Sequence, residues 1–364
     1  MDCLALERFR RETSRVRSLQ KLRALRDQVN EEFGRRLLFA EALEWSREVN
    51  EYHDALIRRV IVLSEERLKE EWGKAAPLPY AFLLFGSGGR GEQTLWSDQD
   101  NGLIYADPSS AEQRLEADRY FAELAARITE GLEAVGYPPC HGQVICTNEQ
   151  WRKPLEDYRW MVNEWMREPD WEHVRYLLIT IDARSVYGDE ALGCALIEEI
   201  YRYTAAQPAM LEHMLRNTLH HKVSIGVFGQ LIKERYGEDA GGVDVKYGAY
   251  IPIVNGIRLL AVEAGIRRSS TEERIQALIA GGHVPEEIGQ DWLEALTLAL
   301  KLRSMTPYQL EEGRYVTRGK LTADQLTKER VTELKQCLRI GTDLQKYVKR
   351  TIPKEIVKRL GDRL

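Results

Sequence analysis

Gly86-Ser87-Gly88-Gly89-Arg90-Gly91-Glu92-Gln93-Thr94-Leu95-Trp96-Ser97-Asp98-Gln99-Asp100-Asn101-Gly102 follows the apolar run Tyr80–Phe85 and leads into Leu103-Ile104-Tyr105. An apolar run ended by glycines reads as a buried strand leaving into a turn. Glycines let backbone N–H groups come close to an anion, and a helix starting there adds its positive end. Ser87 adds a hydroxyl donor and Arg90 a forked cation. In extended backbone, residues two apart face the same way, so Asp98 and Asp100 share one face. Two hard oxygen ligands there suit Mg²⁺, which completes its octahedron with water and substrate phosphates. Each piece alone is common, and it is their order that is informative. The missing Gly-Lys-Ser/Thr ending excludes a P-loop, and the element after the turn is too short for a dinucleotide-binding crossover helix.

Outward from this segment the chain falls into three parts, 1–76, 77–190 and 191–364. Before it, Leu22, Leu25, Val29 and Phe33, then Leu56, Val60 and Leu63, recur at steps of three and four and predict two long helices. Pro77 and Pro79 end that pattern. Strands are expected at Tyr80–Phe85, 101–105 and 143–146, with a helix over 111–135, making a small mixed α/β unit. Beyond Tyr187-Gly188-Asp189 the pattern is almost wholly helical. Ser270-x-x-Glu273 and Thr322-x-x-Gln325 have the form of capping boxes, and Leu334, Leu338, Leu344 and Val348 stripe the last helix. The fold class read from this order is α+β, a small mixed sheet flanked by an N-terminal helical hairpin and a C-terminal helical domain.

Composition narrows the function. Lys and Arg number 52 against 57 Asp and Glu, a net charge of −5, so nucleic acid is not the expected partner. No apolar run approaches the ~18 residues of a membrane span, and the start lacks the layout of a secretion signal. Cys3, Cys140, Cys146, Cys194 and Cys337 are odd in number and scattered, as expected of reduced thiols in a cytoplasmic protein.

The Gly-Ser turn followed by Asp-x-Asp resembles the signature of the polymerase-β nucleotidyltransferase superfamily. More closely, the chain resembles the bacterial nucleotidyltransferases of the domain-of-unknown-function 294 type, related to PII uridylyltransferase. Gly86-Ser87, Arg90, Glu92-Gln93-Thr94-Leu95 and Asp98-Gln99-Asp100-Asn101 carry the likeness, and His53-Asp54-Ala55-Leu56 with Arg58-Arg59 resembles the family's upstream helix. Arg184, Val186, Tyr187, Gly188 and Asp189, then Asp244-Val245-Lys246 and Pro252-Ile253-Val254, extend it over nearly the whole chain. Gly88 and Gly91 depart from the more usual Glu and Arg. Relatives are often fused to CBS and cyclic-nucleotide-binding domains; neither these nor a phosphohydrolase domain is expected here.

The resemblance implies a transferase that moves a nucleoside monophosphate from a nucleoside triphosphate to an acceptor hydroxyl on a protein or small molecule, in a signalling role. Asp98 and Asp100 would hold two Mg²⁺ ions, with Mn²⁺ as an alternative, and Asp182 would complete the catalytic carboxylates or instead pair with Arg184. Gly86, Ser87, Arg90 and Lys246 would bind the nucleotide, unless Lys246 is an exposed strand-end lysine. The rival reading is a catalytically silent nucleotide-binding regulator.

Other residues carry less. His53-Asp54 has the letters of a phosphohydrolase dipeptide but lies on a predicted helix without partner ligands. His213, His220 and His221 lack a metalloprotease spacing and read as structural. Cys140-His141 with Cys146 offers soft donors but too few for a site of their own. Trp151, Trp160, Trp165 and Trp171 read as packing residues.

Overall fold

The structure is a computed structural model describing residues 3–140, 142–226, 229–311 and 314–361. It divides into two compact units, one of residues 1–162, 182–198 and 309–316, the other of 163–181, 199–308 and 317–364.

In the first unit the N-terminal pattern resolves into three helices, α1 (Cys3–Arg15), α2 (Leu19–Arg36) and α3 (Ala42–Trp72), one more than the periodicity suggested. Ser18 starts α2 by accepting from the Lys21 N–H, and Gly73 in the left-handed region closes α3. A four-stranded sheet follows, from β1 (Tyr80–Leu84), β2 (Asn101–Tyr105), β3 (Arg152–Pro154) and β4 (Arg184–Gly188), in the order β3-β2-β1-β4. β1 runs antiparallel to β2, with Tyr80 opposite Tyr105 and Leu84 opposite Asn101, and antiparallel to β4; β2 and β3 are parallel. This is the mixed sheet expected of the α+β class. Tyr80-Ala81-Phe82-Leu83-Leu84 is buried throughout, as its uninterrupted apolar run requires of a central strand.

Helix α5 (Ala111–Val135) lies beyond β2, the one-turn helix α4 (Gly86–Arg90) coming before it in the glycine-rich turn. α5 packs on α2 and α3. Its Phe121 stacks on Tyr105 of β2 at 4.5 Å between ring centroids and lies 5.4 Å from Tyr80 of β1. The Tyr105 hydroxyl donates to Asp118, also on α5.

Residues 143–146, expected as a strand, are loop. Gln143 takes a positive φ of 57°, and the loop is held by Asn101, whose N–H donates to the Val144 carbonyl at 3.1 Å and whose side chain accepts from the Cys146 N–H at 2.9 Å. The strand beside β2 is instead Arg152–Pro154, too short and too polar to show as an alternating pattern.

The second unit is mainly helical, with Ile251–Glu263, Thr271–Ala280, Glu286–Ser304 and the long Lys328–Gly361 as its principal helices. Ser270 accepts from the Glu273 N–H at 3.4 Å, the expected cap. Leu334, Leu338, Leu344 and Val348 are buried along the last helix. Thr322-x-x-Gln325 does close on itself, Gln325 Oε1 accepting from the Thr322 N–H at 3.1 Å, but as a turn; Thr327 caps the helix instead. A short pairing of 243–244 with 320–321 interrupts the helices, while the hairpin of Tyr308–Glu311 with Arg314–Thr317 falls, over 309–316, in the first unit. Among the described residues no helix is long and apolar enough to cross a membrane.

Because Phe121 is fully buried between the sheet and α5, Phe121→Ala should cost about 3–5 kcal/mol of stability. Urea unfolding followed by circular dichroism checks this; a midpoint within error of the wild type would place the core elsewhere.

Candidate active site

β1 delivers the chain straight into the turn. Gly86 sits at φ 51°, a left-handed conformation that glycine adopts at no steric cost. A Cβ there would stand 2.6 Å from Asp100 Oδ2, so the missing side chain leaves room for that carboxylate. At Gly89 a Cβ would run into the carbonyl oxygens of Asp182 and Leu84, so the α4 turn lies flat on the backbone next to β4. The Gly89 N–H donates to the Phe85 carbonyl at 2.8 Å, and the Phe85 N–H to the Asp100 carbonyl at 2.9 Å. This last bond joins the turn to the start of β2. Ser87, Asp98 and Asp100 thereby line one hollow, with Gln93, Asn101 and Tyr137 among its walls.

The segment between the turn and Asp98 has almost no regular structure, and its backbone polar groups are held by side chains of the N-terminal helices. Asn50 donates to the Gln93 carbonyl at 3.1 Å and accepts from the Gln93 N–H at 2.8 Å. His53, fully buried, places Nε2 3.1 Å from the Thr94 carbonyl and Nδ1 2.6 Å from the Tyr137 hydroxyl. A carbonyl can only accept, so Nε2 carries the proton and the tyrosine donates to Nδ1. Arg26, also fully buried, donates to the Leu95 carbonyl at 3.1 Å and stacks over the Tyr137 ring at 3.7 Å. Burial pushes the His53 imidazole down to about 3, with the Arg26 charge adding to it. Asp54, one residue on, holds Arg184 through two bonds of 2.7 and 2.9 Å, and Arg184 donates to the Gly88 carbonyl at 3.0 Å. One face of α3 therefore grips both the turn and the aspartate-bearing segment.

Arg90 and Asp182 lie together. Arg90 is 4% exposed and donates to Asp182 at 2.6 Å and to Glu92 at 2.8 Å, while Asp182 is fully buried. Asp182 does not join the donor group around Asp98 and Asp100, whose third member is Cys140; one ligand atom from each of these three lies within 4.8 Å of the others. Burial pushes the Cys140 thiol up to about 12, reinforced by the Asp100 charge and a hydrogen bond to it. His141 lies outside the described residues. Lys246 belongs to the second unit. There it opens the π-helical turn Lys246–Tyr250, its N–H donating to the Gly319 carbonyl at 3.0 Å and its ammonium 5.4 Å from the Tyr247 ring.

Residues 18–172 match the family model described as "Putative nucleotidyltransferase DUF294", and residues 208–352 match the one described as "Putative nucleotidyltransferase substrate binding domain". The chain belongs to the DUF294 nucleotidyltransferase family. It is also similar to two enzymes named bifunctional glutamine synthetase adenylyltransferase/adenylyl-removing enzyme. The one from Xanthomonas oryzae pv. oryzae (strain MAFF 311018) is 27% identical over 57% of this chain and 22% of that protein. The one from Xanthomonas campestris pv. campestris (strain B100) is 26% identical over 54% of this chain and 21% of that protein. The chain thus spans about a fifth of the length of these relatives.

In this DUF294 protein no motif announces the grip of Asn50 and His53 on the segment after the turn. Its signal was present: polar residues at 50, 53 and 54, in step with Val49, Tyr52, Leu56 and Ile57, fall on the buried side of a helix that had no reason to bury them.

His53 stays neutral when folded but takes a proton near pH 6.5 when unfolded. The unfolded chain therefore binds more protons between about pH 6.5 and 3, and stability is complete above that window and lost as pH falls through it. Urea midpoints at pH 7 and pH 5 should show this loss, with a shallower dependence in His53→Gln; identical slopes would mean that His53 titrates normally. Asp182→Ala, which leaves Arg90 facing one buried carboxylate, should cost about 3–5 kcal/mol in the same assay, and a neutral result would break the assigned pairing.

Proposed function

We propose that the protein is a Mg²⁺-dependent nucleotidyltransferase that moves a nucleoside monophosphate from a nucleoside triphosphate to an acceptor hydroxyl on a protein or small molecule, in a signalling role. The observation supporting this reading is the convergence of Ser87, Asp98 and Asp100 on one hollow in a chain of this family. The donor set suits a divalent cation. Two partly exposed carboxylates line the hollow, Asp100 in the room that Gly86 leaves, and Gln93 Oε1, on the same hollow, is buried with no hydrogen-bond partner among the described residues. Asp98 and Asp100 are the proposed ligands, for two Mg²⁺ ions or for Mn²⁺.

When bound, the cation would supply positive charge to the triphosphate and ease deprotonation of the acceptor hydroxyl. The residues of the chain do the positioning. Ser87 offers its hydroxyl to the outer phosphates at the glycine turn beginning with Gly86. Arg90 and Asp182 act as positioning residues, because their mutual pairing and the Arg90–Glu92 bond fix the turn against β4. The region 77–190 would carry the transfer site and 191–364 the acceptor-recognising helices, in keeping with the description of the second family model. Cys140, Cys146, Cys194 and Cys337 are free thiols, in keeping with a place in the reducing cytoplasm.

Protein incubated with cell extract, Mg²⁺ and nucleoside triphosphates labelled at the α or γ position should attach α-label covalently to an acceptor, with γ-label leaving in pyrophosphate. EDTA should stop the transfer, and Asp98→Asn or Asp100→Asn should lower it by at least ~100-fold while unfolding cooperatively. Transfer of γ-label would point to kinase chemistry. Nucleotide binding with no transfer across all four bases would favour the silent regulator.

A further inference from the structure

Cys140 has no part in the transfer chemistry above, yet its sulfur stands against both aspartates. One ligand atom from each of Asp98, Asp100 and Cys140 lies within 4.8 Å of the other two. Backbone pairing holds the loop there. The Gln99 N–H donates to the Pro138 carbonyl at 2.9 Å, and Gln99 and Pro139 form a parallel bridge. On the other side of Cys140, the Asn101 N–H reaches the Val144 carbonyl at 3.1 Å, and the Cys146 N–H reaches Asn101 Oδ1 at 2.9 Å. The loop is thus tied to the aspartate segment both before and after the cysteine. Independently, Gln93 Oε1 is buried on the hollow that Asp98 and Asp100 line, without a partner among the described residues.

Carboxylate oxygens suit hard ions such as Mg²⁺, whereas a thiolate selects soft or borderline ones. A site offering two carboxylates and one sulfur suits a four-coordinate thiophilic ion better than an octahedral one.

We propose that Asp98, Asp100 and Cys140 together form a mixed carboxylate–thiolate site that takes a thiophilic divalent cation, Zn²⁺ or Cd²⁺, and that such an ion shuts out the hard ion of the transfer reaction. The inference rests on the reading of Asp98 and Asp100 as metal ligands. Binding breaks the S–H bond, the proton leaves to solvent, and a metal–sulfur bond forms with no change of oxidation state.

The test uses the full chain with Cys3 and Cys194 replaced by serine, which leaves Cys140 as the partly exposed thiol beside the buried Cys146 and Cys337. Titration with Cd²⁺ alone should raise the ultraviolet thiolate-to-cadmium absorption at one equivalent. Adding Cys140→Ser should abolish that band and weaken Cd²⁺ by roughly 100-fold in calorimetry, while changing Mn²⁺ affinity, read by paramagnetic resonance, by less than about threefold. Asp98→Asn and Asp100→Asn should weaken both ions. A full band in the Cys140→Ser protein, or Cd²⁺ affinity indifferent to both aspartate variants, would overturn the shared site. If at the same time Mn²⁺ binding still depends on Asp98, the hard-ion reading survives that failure. Mn²⁺ binding that ignores both aspartates would overturn both.

Discussion

The working part of the first unit depends on a polar strip along a buried helix face. The chain between Gly91 and Asp98 crosses the interior with little regular structure, so its backbone groups need partners that neither helix nor sheet provides. Asn50 and His53 of α3, with Arg26 of α2, supply them at three successive residues, Gln93, Thr94 and Leu95. Asp54 extends the strip through Arg184 to Gly88. Without this strip the segment would carry unsatisfied groups in a low-dielectric interior, and the approach to Asp98 and Asp100 would lose the partners that fix it. The N-terminal helices are therefore part of the site's framework.

Glycine makes the complementary contribution. Side chains at 86 and 89 would displace the Asp100 carboxylate or force the turn away from the Asp182 backbone. Beneath the turn, Arg90 is clamped between Glu92 and Asp182. A buried cation with two carboxylate partners adds little net stability relative to an apolar substitute, but it penalises any arrangement that leaves one of the charges unpaired. Such a device suits a loop that must keep one geometry beside the partly exposed carboxylates of Asp98 and Asp100.

Softness also enters through tertiary structure. The loop carrying Cys140 reaches the aspartates because Asn101, the first residue of β2, is bonded to that loop by both its backbone and its side chain. The same asparagine thus begins the central strand pair and seats a sulfur beside two oxygens.

Much of this protein was legible in local sequence. Period and punctuation identified β1, β2, α5 and the cap at Ser270, because apolar spacing, glycine and short hydroxyl side chains act over a few residues. The spacing of Gly86-Ser87 from Asp98-x-Asp100 pointed to the family and to the chemistry of the hollow. What local patterns could not reach was pairing across the chain. Arg90 meets Asp182, Asn50 meets Gln93, His53 meets Tyr137 and Cys140 meets Asp100 only in the folded chain. The loop at 143–146 and the turn at Thr322 differ from their local signals for a related reason. Hydrogen bonds from Asn101 and a better cap at Thr327 offered those segments stronger partners than their own periodicity did. Sequence alone determined which chemical groups were available and which elements they would ride on. Tertiary structure decided which of them are buried, which are held, and which stand open, because a side chain's partner is set by distance in space and leaves no periodic trace along the chain.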